Sequence, residues 1–148
     1  MTTLHHLSWL IWLAPALLTE LWASDLSPAG LWKTVDDKTG EPKGMVRIYE
    51  HNGAFFGKIE SSLKAADAKE RCELCTDERK NKPIIGLVIL RGLKKQGEEF
   101  SGGDILDPES GTVYRCKLRV LDQGKTLVVR GYVGVSVLGR SQTWLRVP

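Results

Sequence analysis

Beyond position 23 the chain carries three cysteines and one histidine, and these bound its chemistry. Cys72-Glu73-Leu74-Cys75 allows three chemistries. A local disulfide needs only an oxidising compartment. Thiol exchange needs a depressed thiolate pKa, which Arg71 favours and Glu70 and Glu73 oppose. A metal site needs third and fourth ligands, for which Cys116 and His51 are the available residues. Covalent haem is excluded, because that motif requires histidine after the second cysteine and position 76 is Thr. Cys116 sits between Tyr114 and Leu118 on the apolar face of an alternating run and reads as a small buried hydrophobe. A reactive thiol lining a cavity is its alternative reading.

The remaining polar groups form no catalytic set. His51 stands alone in a tight turn, which leaves little for imidazole acid–base chemistry. No Ser-His-Asp arrangement and no Gly-rich phosphate loop is legible. Asp104, Asp107 and Glu109 lack the alternating oxygen ligands of a calcium loop and read as a hairpin turn. Arg115, Lys117 and Arg119 share one strand face and read as a solvated outer wall. A one-residue slip that turned them inward would expose Tyr114, Leu118 and Val120 together. No enzyme, cofactor or metal is expected. An enzyme working through Cys72 and Cys75 is the weakest of the function classes considered.

These residues are positioned by short alternating segments punctuated by glycine. Leu31–Val35 opens. Met45–Glu50 and Ala54–Glu60 flank Asn52-Gly53, a pair that tolerates positive φ, and form a hairpin. Phe55, Gly57 and Ile59 share one face of the second strand. Ser61–Pro83 breaks the rhythm with charged sequence, the Cys pair and a short helix over Ser62–Glu70; a connection of that length is functional or stapled. Further strands are expected over Ile84–Leu90, Phe100–Leu106, Thr112–Val120, Lys125–Val135 and Gln142–Val147. Asp107-Pro108-Glu109-Ser110-Gly111 supplies a turn in which Asp bonds its own backbone, Pro fixes φ and Gly closes. Eight or so strands joined by short hairpins close as an antiparallel up-and-down β-barrel. Gly57, Gly86, Gly131 and Gly134 fall within these segments. Inward glycines either leave room for a ligand or permit the coiling that closes a small barrel.

Length and composition agree with one domain. The chain has 148 residues, 42% hydrophobic, and a formal net charge of +3. That suffices for a packed core and excludes a disordered chain. The positive charge is spread without a cluster, so nucleic acid is not an expected partner. Leu7–Leu18 is an almost unbroken apolar run, and about 12 residues are too few to cross roughly 30 Å of hydrocarbon as a helix. With small Ala23 before Ser24-Asp25, the segment reads as a secretory leader. The expected organisation is a signal peptide over 1–23 and one barrel domain over 24–148, periplasmic or secreted, with no stable membrane span after cleavage; an uncleaved anchor is the alternative reading of the leader.

The chain resembles a bacterial secreted family catalogued as domain of unknown function 2147. The resemblance rests on Gly30-Leu31-Trp32-Lys33-Thr34, Val46-Arg47-Ile48-Tyr49, Cys72 with Cys75, Pro83-Ile84-Ile85-Gly86-Leu87 and Gly103-Asp104-Ile105-Leu106-Asp107-Pro108. It continues through Arg130-Gly131-Tyr132-Val133-Gly134 and Gly139-Arg140 to Trp144-Leu145-Arg146. The resemblance brings no catalytic residues. The two ends are also similar to the lipocalin and avidin superfamily, in which Gly-X-Trp opens the first strand and an Arg of the last strand lies over that Trp. This implies a lipocalin-like barrel closed by Trp32 and Arg146. The expected function is non-catalytic binding of a small apolar or amphipathic ligand in the lumen, with Phe55, Ile59, Tyr114, Leu118, Val129 and Val133 as wall candidates. The alternative is an envelope interaction protein that binds a protein or cell-wall partner through its outer face or the 61–83 loop.

Overall fold

A computed structural model describes residues 26–63 and 69–148. The expected leader over 1–23 and most of the expected helix over Ser62–Glu70 lie outside the described residues. Eight antiparallel strands form one closed barrel in sequence order. They are β1 (Gly30–Val35), β2 (Pro42–His51), β3 (Ala54–Ser62), β4 (Val88–Gln96), β5 (Glu99–Asp107), β6 (Thr112–Leu121), β7 (Thr126–Tyr132) and β8 (Arg140–Val147). Every strand pairs with its neighbours in the chain, and β1 closes on β8 through Leu31–Val147, Trp32–Arg146 and Lys33–Leu145. Closure leaves no edge strand to recruit another chain.

The turns follow the local sequence. Asn52 and Gly53 take φ of 50° and 76°, the positive pair that a two-residue hairpin with native twist requires. At the β5–β6 turn, Asp107 accepts from the Glu109 amide at 3.0 Å and the Ser110 hydroxyl at 2.9 Å, and Gly111 closes it with φ of 73°. Arg115 and Arg119 face outward, and Lys117 and Arg119 lie 3.7 Å and 3.4 Å from Glu99. Cys116, Leu118 and Val120 on the opposite face are buried.

Two strands are shorter than their apolar runs. The expected strand from Ile84 begins only at Val88. Ile84 to Leu87 belongs to the preceding loop, where the Ile84 amide donates to Glu70 O and Gly86 adopts φ of 87°. The run expected to reach Val135 ends at Tyr132, because Gly134 at φ of 74° turns the chain and Ser136–Leu138 coils into a 3₁₀ turn. Gly86 and Gly134 are therefore loop residues. Gly57 and Gly131 are strand residues facing the interior, against Leu90 and against Tyr114 and Ile105 respectively.

The two ends of the barrel differ. The hairpins at 52–53 and 97–98 and the segment around Asp122–Gly124 lie at one end, which is packed solid. Trp32, Ile48, Phe55, Leu93, Phe100, Leu118 and Leu127 are buried in the core there. Phe55 and Phe100 meet edge to face, 5.1 Å between centroids. Arg146 caps this end. Its guanidinium lies 4.2 Å from the Trp32 ring centroid and donates to Ala29 O at 2.7 Å, Ser27 O at 2.8 Å and Gly124 O. Trp32 Nε1 in turn donates to Pro28 O at 2.8 Å. Gly30 explains the first residue of the Gly-X-Trp motif. Its φ is 140°, and a Cβ there would stand 2.5 Å from Arg146 Nη1.

Candidate functional site

The opposite end is open. There the strands stop at Val35, Ser62, Asp107 and Tyr132, and the chain returns through the 36–41, 63–87, 108–111 and 133–139 connections. Between these loops lies a cavity of about 1190 Å³ that runs down the barrel axis. Its lining includes Val46, Ile59, Ile89, Ile105, Val129 and Trp144, with Tyr114 and Gln142 as polar groups among them. This is the composition of a small-molecule pocket, in which a few polar groups punctuate aliphatic and aromatic walls. Register explains the lining. Val46 stands opposite Ile59, Ile105 opposite Tyr114, and Val129 opposite Gln142, so inward residues of adjacent strands fall at one depth. Gly131 lies level with Tyr114 and Ile105, and its missing side chain widens the lumen.

Charges of both signs gather at the mouth, and two pairs of them neutralise one another. Lys43 meets Glu109 at 2.8 Å, and Arg140 meets Asp37 at 2.5 Å. Gln142 also donates to Asp37, at 3.1 Å. Glu73 and Leu74 of the cysteine loop form part of the same rim.

That loop is fastened at two points. Cys72 and Cys75 form a disulfide, and the strand-like bridge Arg71–Pro83 closes the base. The disulfide turn packs on the β5–β6 turn so tightly that a Cβ on Gly111 would lie 1.9 Å from Leu74 O. On the outer wall Arg79 is buried (4% exposed) and grips both oxygens of Asp77, while donating to Val88 O at 3.0 Å. Arg91 of β4 completes the clamp, 2.7 Å from Glu78 and 3.2 Å from Asp104. The hydrogen bonds from Arg79 hold the Asp77 carboxyl well below its ordinary range, at about 2. The loop is thus a fixed wall of the mouth.

The six wall candidates divide three ways. Ile59, Tyr114 and Val129 line the cavity. Phe55 and Leu118 do not reach it, because each lies toward the packed end of its strand and fills the core there. Val133 also borders the cavity, but only at its rim, and is 69% exposed, since β7 ends one residue before it. Cys116 is fully buried between Gly103 and Gly131, and burial pushes its thiol up to about 12. Trp144, Gln142, Ile89 and Ile105 were not singled out from sequence. Trp144 and Gln142 were accessible from alternation along β8, whereas Ile89 owes its place to a bulge between β3 and β4 that no sequence pattern marks.

The matching family model is that of an uncharacterized protein conserved in bacteria (DUF2147), and it spans residues 30–146. The chain belongs to this family. Among solved structures, the DUF2147 chain is similar to protein HP1028 from the human pathogen Helicobacter pylori, described as belonging to the lipocalin family. The two share 22% identity over 82% of this chain and 84% of that one, with a TM-score of 0.71. This likeness establishes a lipocalin-type barrel for the DUF2147 chain and carries nothing about its ligand. No curated protein matches it significantly. Among the described residues no helix is long and apolar enough to cross a membrane.

Proposed function

We propose that this DUF2147 barrel is a non-catalytic binding protein that holds a small apolar or amphipathic molecule in its lumen, outside the bacterial cytoplasm. The observation that carries the reading is the open cavity of about 1190 Å³, lined by Val46, Ile59, Ile89, Ile105, Val129 and Trp144. Its volume lies somewhat above the usual range for small-molecule sites, about 300–1,000 Å³, and so has room for a drug-sized or larger molecule. The apolar wall selects against ions and sugars, whose polar groups would lose water without recovering partners. Tyr114 offers a hydroxyl to orient a polar head, while the Gln142 amide is held between Asp37 and Trp144. Charges of both signs at the mouth leave no single sign to demand an anion or a cation. The Cys72–Cys75 disulfide supports an oxidising compartment, periplasmic or secreted.

The test is titration with a neutral fluorescent hydrophobe such as N-phenyl-1-naphthylamine, alongside native mass spectrometry of the purified protein. The expected results are a saturable signal, energy transfer from Trp144, and co-purified mass that organic extraction removes. Gly131→Leu is the decisive variant. Gly131 has ordinary backbone geometry, and a Cβ there meets its neighbours at 3.4 Å or more, so the new side chain enters the lumen rather than straining the strand. Probe affinity should fall at least tenfold. Unchanged affinity in that variant, or no saturable binding in the parent, would place the probe outside the lumen and remove this function.

A further inference from the structure

We propose that the rim of the cavity is a membrane-docking surface, which seats on a lipid bilayer so that the lumen exchanges its ligand with the bilayer directly. This inference rests on the lumen reading and adds where the ligand comes from. Among the described residues, the large hydrophobic side chains left exposed are unevenly placed. All but Leu121 and Leu145 lie toward the open end. The most exposed stand on its loops: Leu74 at 60%, Val133 at 69%, Val135 at 60%, Val137 at 82% and Leu138 at 80%.

These tips are held out by built structure. Arg130 of β7 spends its guanidinium on the 133–139 loop, donating to Ser136 O and Val137 O at 2.6 Å and 3.0 Å and to Ser141 Oγ at 2.9 Å. Those bonds fix the 3₁₀ turn that holds Val137 out in solvent and sets Leu138 on the rim of the cavity. On the neighbouring rim, the disulfide and its contact with Gly111 fix Leu74 in the same way. Holding aliphatic tips in water is unfavourable, and a fold that rigidifies them gains only when something covers them.

A bilayer suits this geometry better than a protein does. Four of the tips share the 133–139 loop and the fifth, Leu74, stands on the cysteine loop, so they flank the open mouth, which a rigid protein seated on them would plug. A fluid interface admits such tips individually. Charged residues stand beside them on the rim, among them Arg71, Lys43 and Arg140, each within the rim that would meet headgroups while aliphatic tips enter the acyl boundary. The paired charges of this rim suit a zwitterionic surface as well as an anionic one. The cavity opens through the same ring, so an acyl-bearing ligand moves between bilayer and lumen without crossing water. The described chain begins at the other end, with Leu26 beside Gly124, so an N-terminal tether would present the closed end and is distinguishable.

The experiment places an environment-sensitive nitrobenzoxadiazole label at Val135→Cys, or at Gln123→Cys on the closed end, in the full chain. Cys116 is buried and the other cysteines are bonded, so labelling is selective. With phosphatidylcholine vesicles, with or without phosphatidylglycerol, the label at 135 should brighten and shift blue while that at 123 stays unchanged. Adding Val137→Asp should raise the lipid concentration needed about fivefold or more, as expected for an aliphatic side chain withdrawn from the interface. Naphthylamine affinity without vesicles should not change in that variant. A silent label at 135, a response at 123 instead, or a response at 135 that grows with protein concentration in the absence of lipid would each overturn the docking surface. The last would assign the rim to a second copy. Vesicle contact without naphthylamine uptake would overturn the lumen reading alone.

Discussion

At the scale of single residues, the closed end is held by one arginine whose every nitrogen is engaged. Arg146 serves Gly124 O, Ala29 O and Ser27 O while lying on Trp32. Truncation leaves three carbonyls without this donor and bares an indole face. Arg146→Ala should therefore cost about 2–4 kcal/mol, read as a lower urea midpoint with an unchanged slope. Arg146→Lys should recover only part of this, since an ammonium cannot serve three directions from one plane. Gly30→Ala should act through the same group, because its φ of 140° and the 2.5 Å approach to Arg146 Nη1 both oppose a methyl. Cys116 offers a check on burial of the opposite kind. A thiol pushed up to about 12 stays protonated at pH 8, so alkylation by iodoacetamide should follow the unfolding rate and give no fast phase. A fast phase would show that the lumen reaches it.

At the scale of elements, the informative object is the cysteine loop over 69–87, whose described residues form a wall of the mouth without contributing a strand. Its anchor is the Arg79–Asp77 pair, and the sign of its pH dependence follows from the carboxyl. Asp77 has a folded pKa of about 2 against 3.8, so the stabilisation is complete above the unfolded value and disappears as pH falls through about 2. The loop should stay docked at pH 5 and loosen between about pH 4 and pH 2, seen as hydrogen exchange rising at 77–82 before that of β4. Asp77→Asn should produce that exchange pattern at neutral pH and cost on the order of 1.5–3 kcal/mol, because Arg79 keeps its charge in a buried place. Reduction of Cys72–Cys75 should free Leu74 and the rim without unfolding the barrel. The sequence makes the strands legible where apolar and polar residues alternate, as in β6, and makes turns legible where Asn-Gly or Asp-Pro fixes them. It misleads where apolar runs continue past a strand. Ile84–Leu87 and Val133–Val135 look like strand to any rule based on hydrophobicity, and only the turn at Gly86 and the one at Gly134 end the pairing. Nothing local announces Arg79, whose partners are a near neighbour and the backbone of β4.

At the scale of the whole molecule, the barrel divides its axis between two demands. One end is filled by Trp32, Phe55, Phe100 and Leu118 and bears the stability; the other is hollow and bears the binding. The lumen candidates read from alternation could not distinguish these halves, because residues at every depth along a strand share the same inward face, and only the register of all eight strands assigns depth. The division has a thermodynamic consequence. A cavity wall that lacks packing partners forgoes dispersion contacts that a filled core would make, so the empty barrel is less stable than its sequence permits. A ligand restores those contacts and should stabilise the folded state logarithmically with its concentration, by about 2.7 kcal/mol at a hundredfold excess over Kd, seen as a rising melting temperature. Gly131→Leu should mimic that gain from within. Its side chain fills space that the ligand would occupy and removes a glycine from a strand interior, and both effects favour the folded state. The expected outcome is a higher urea midpoint together with weaker probe binding and a smaller thermal shift on adding the same concentration of ligand. A variant that bound normally and melted normally would mean that position 131 does not border the occupied volume. One that lost both stability and binding would mean that the strand, rather than the lumen, had no room for the side chain.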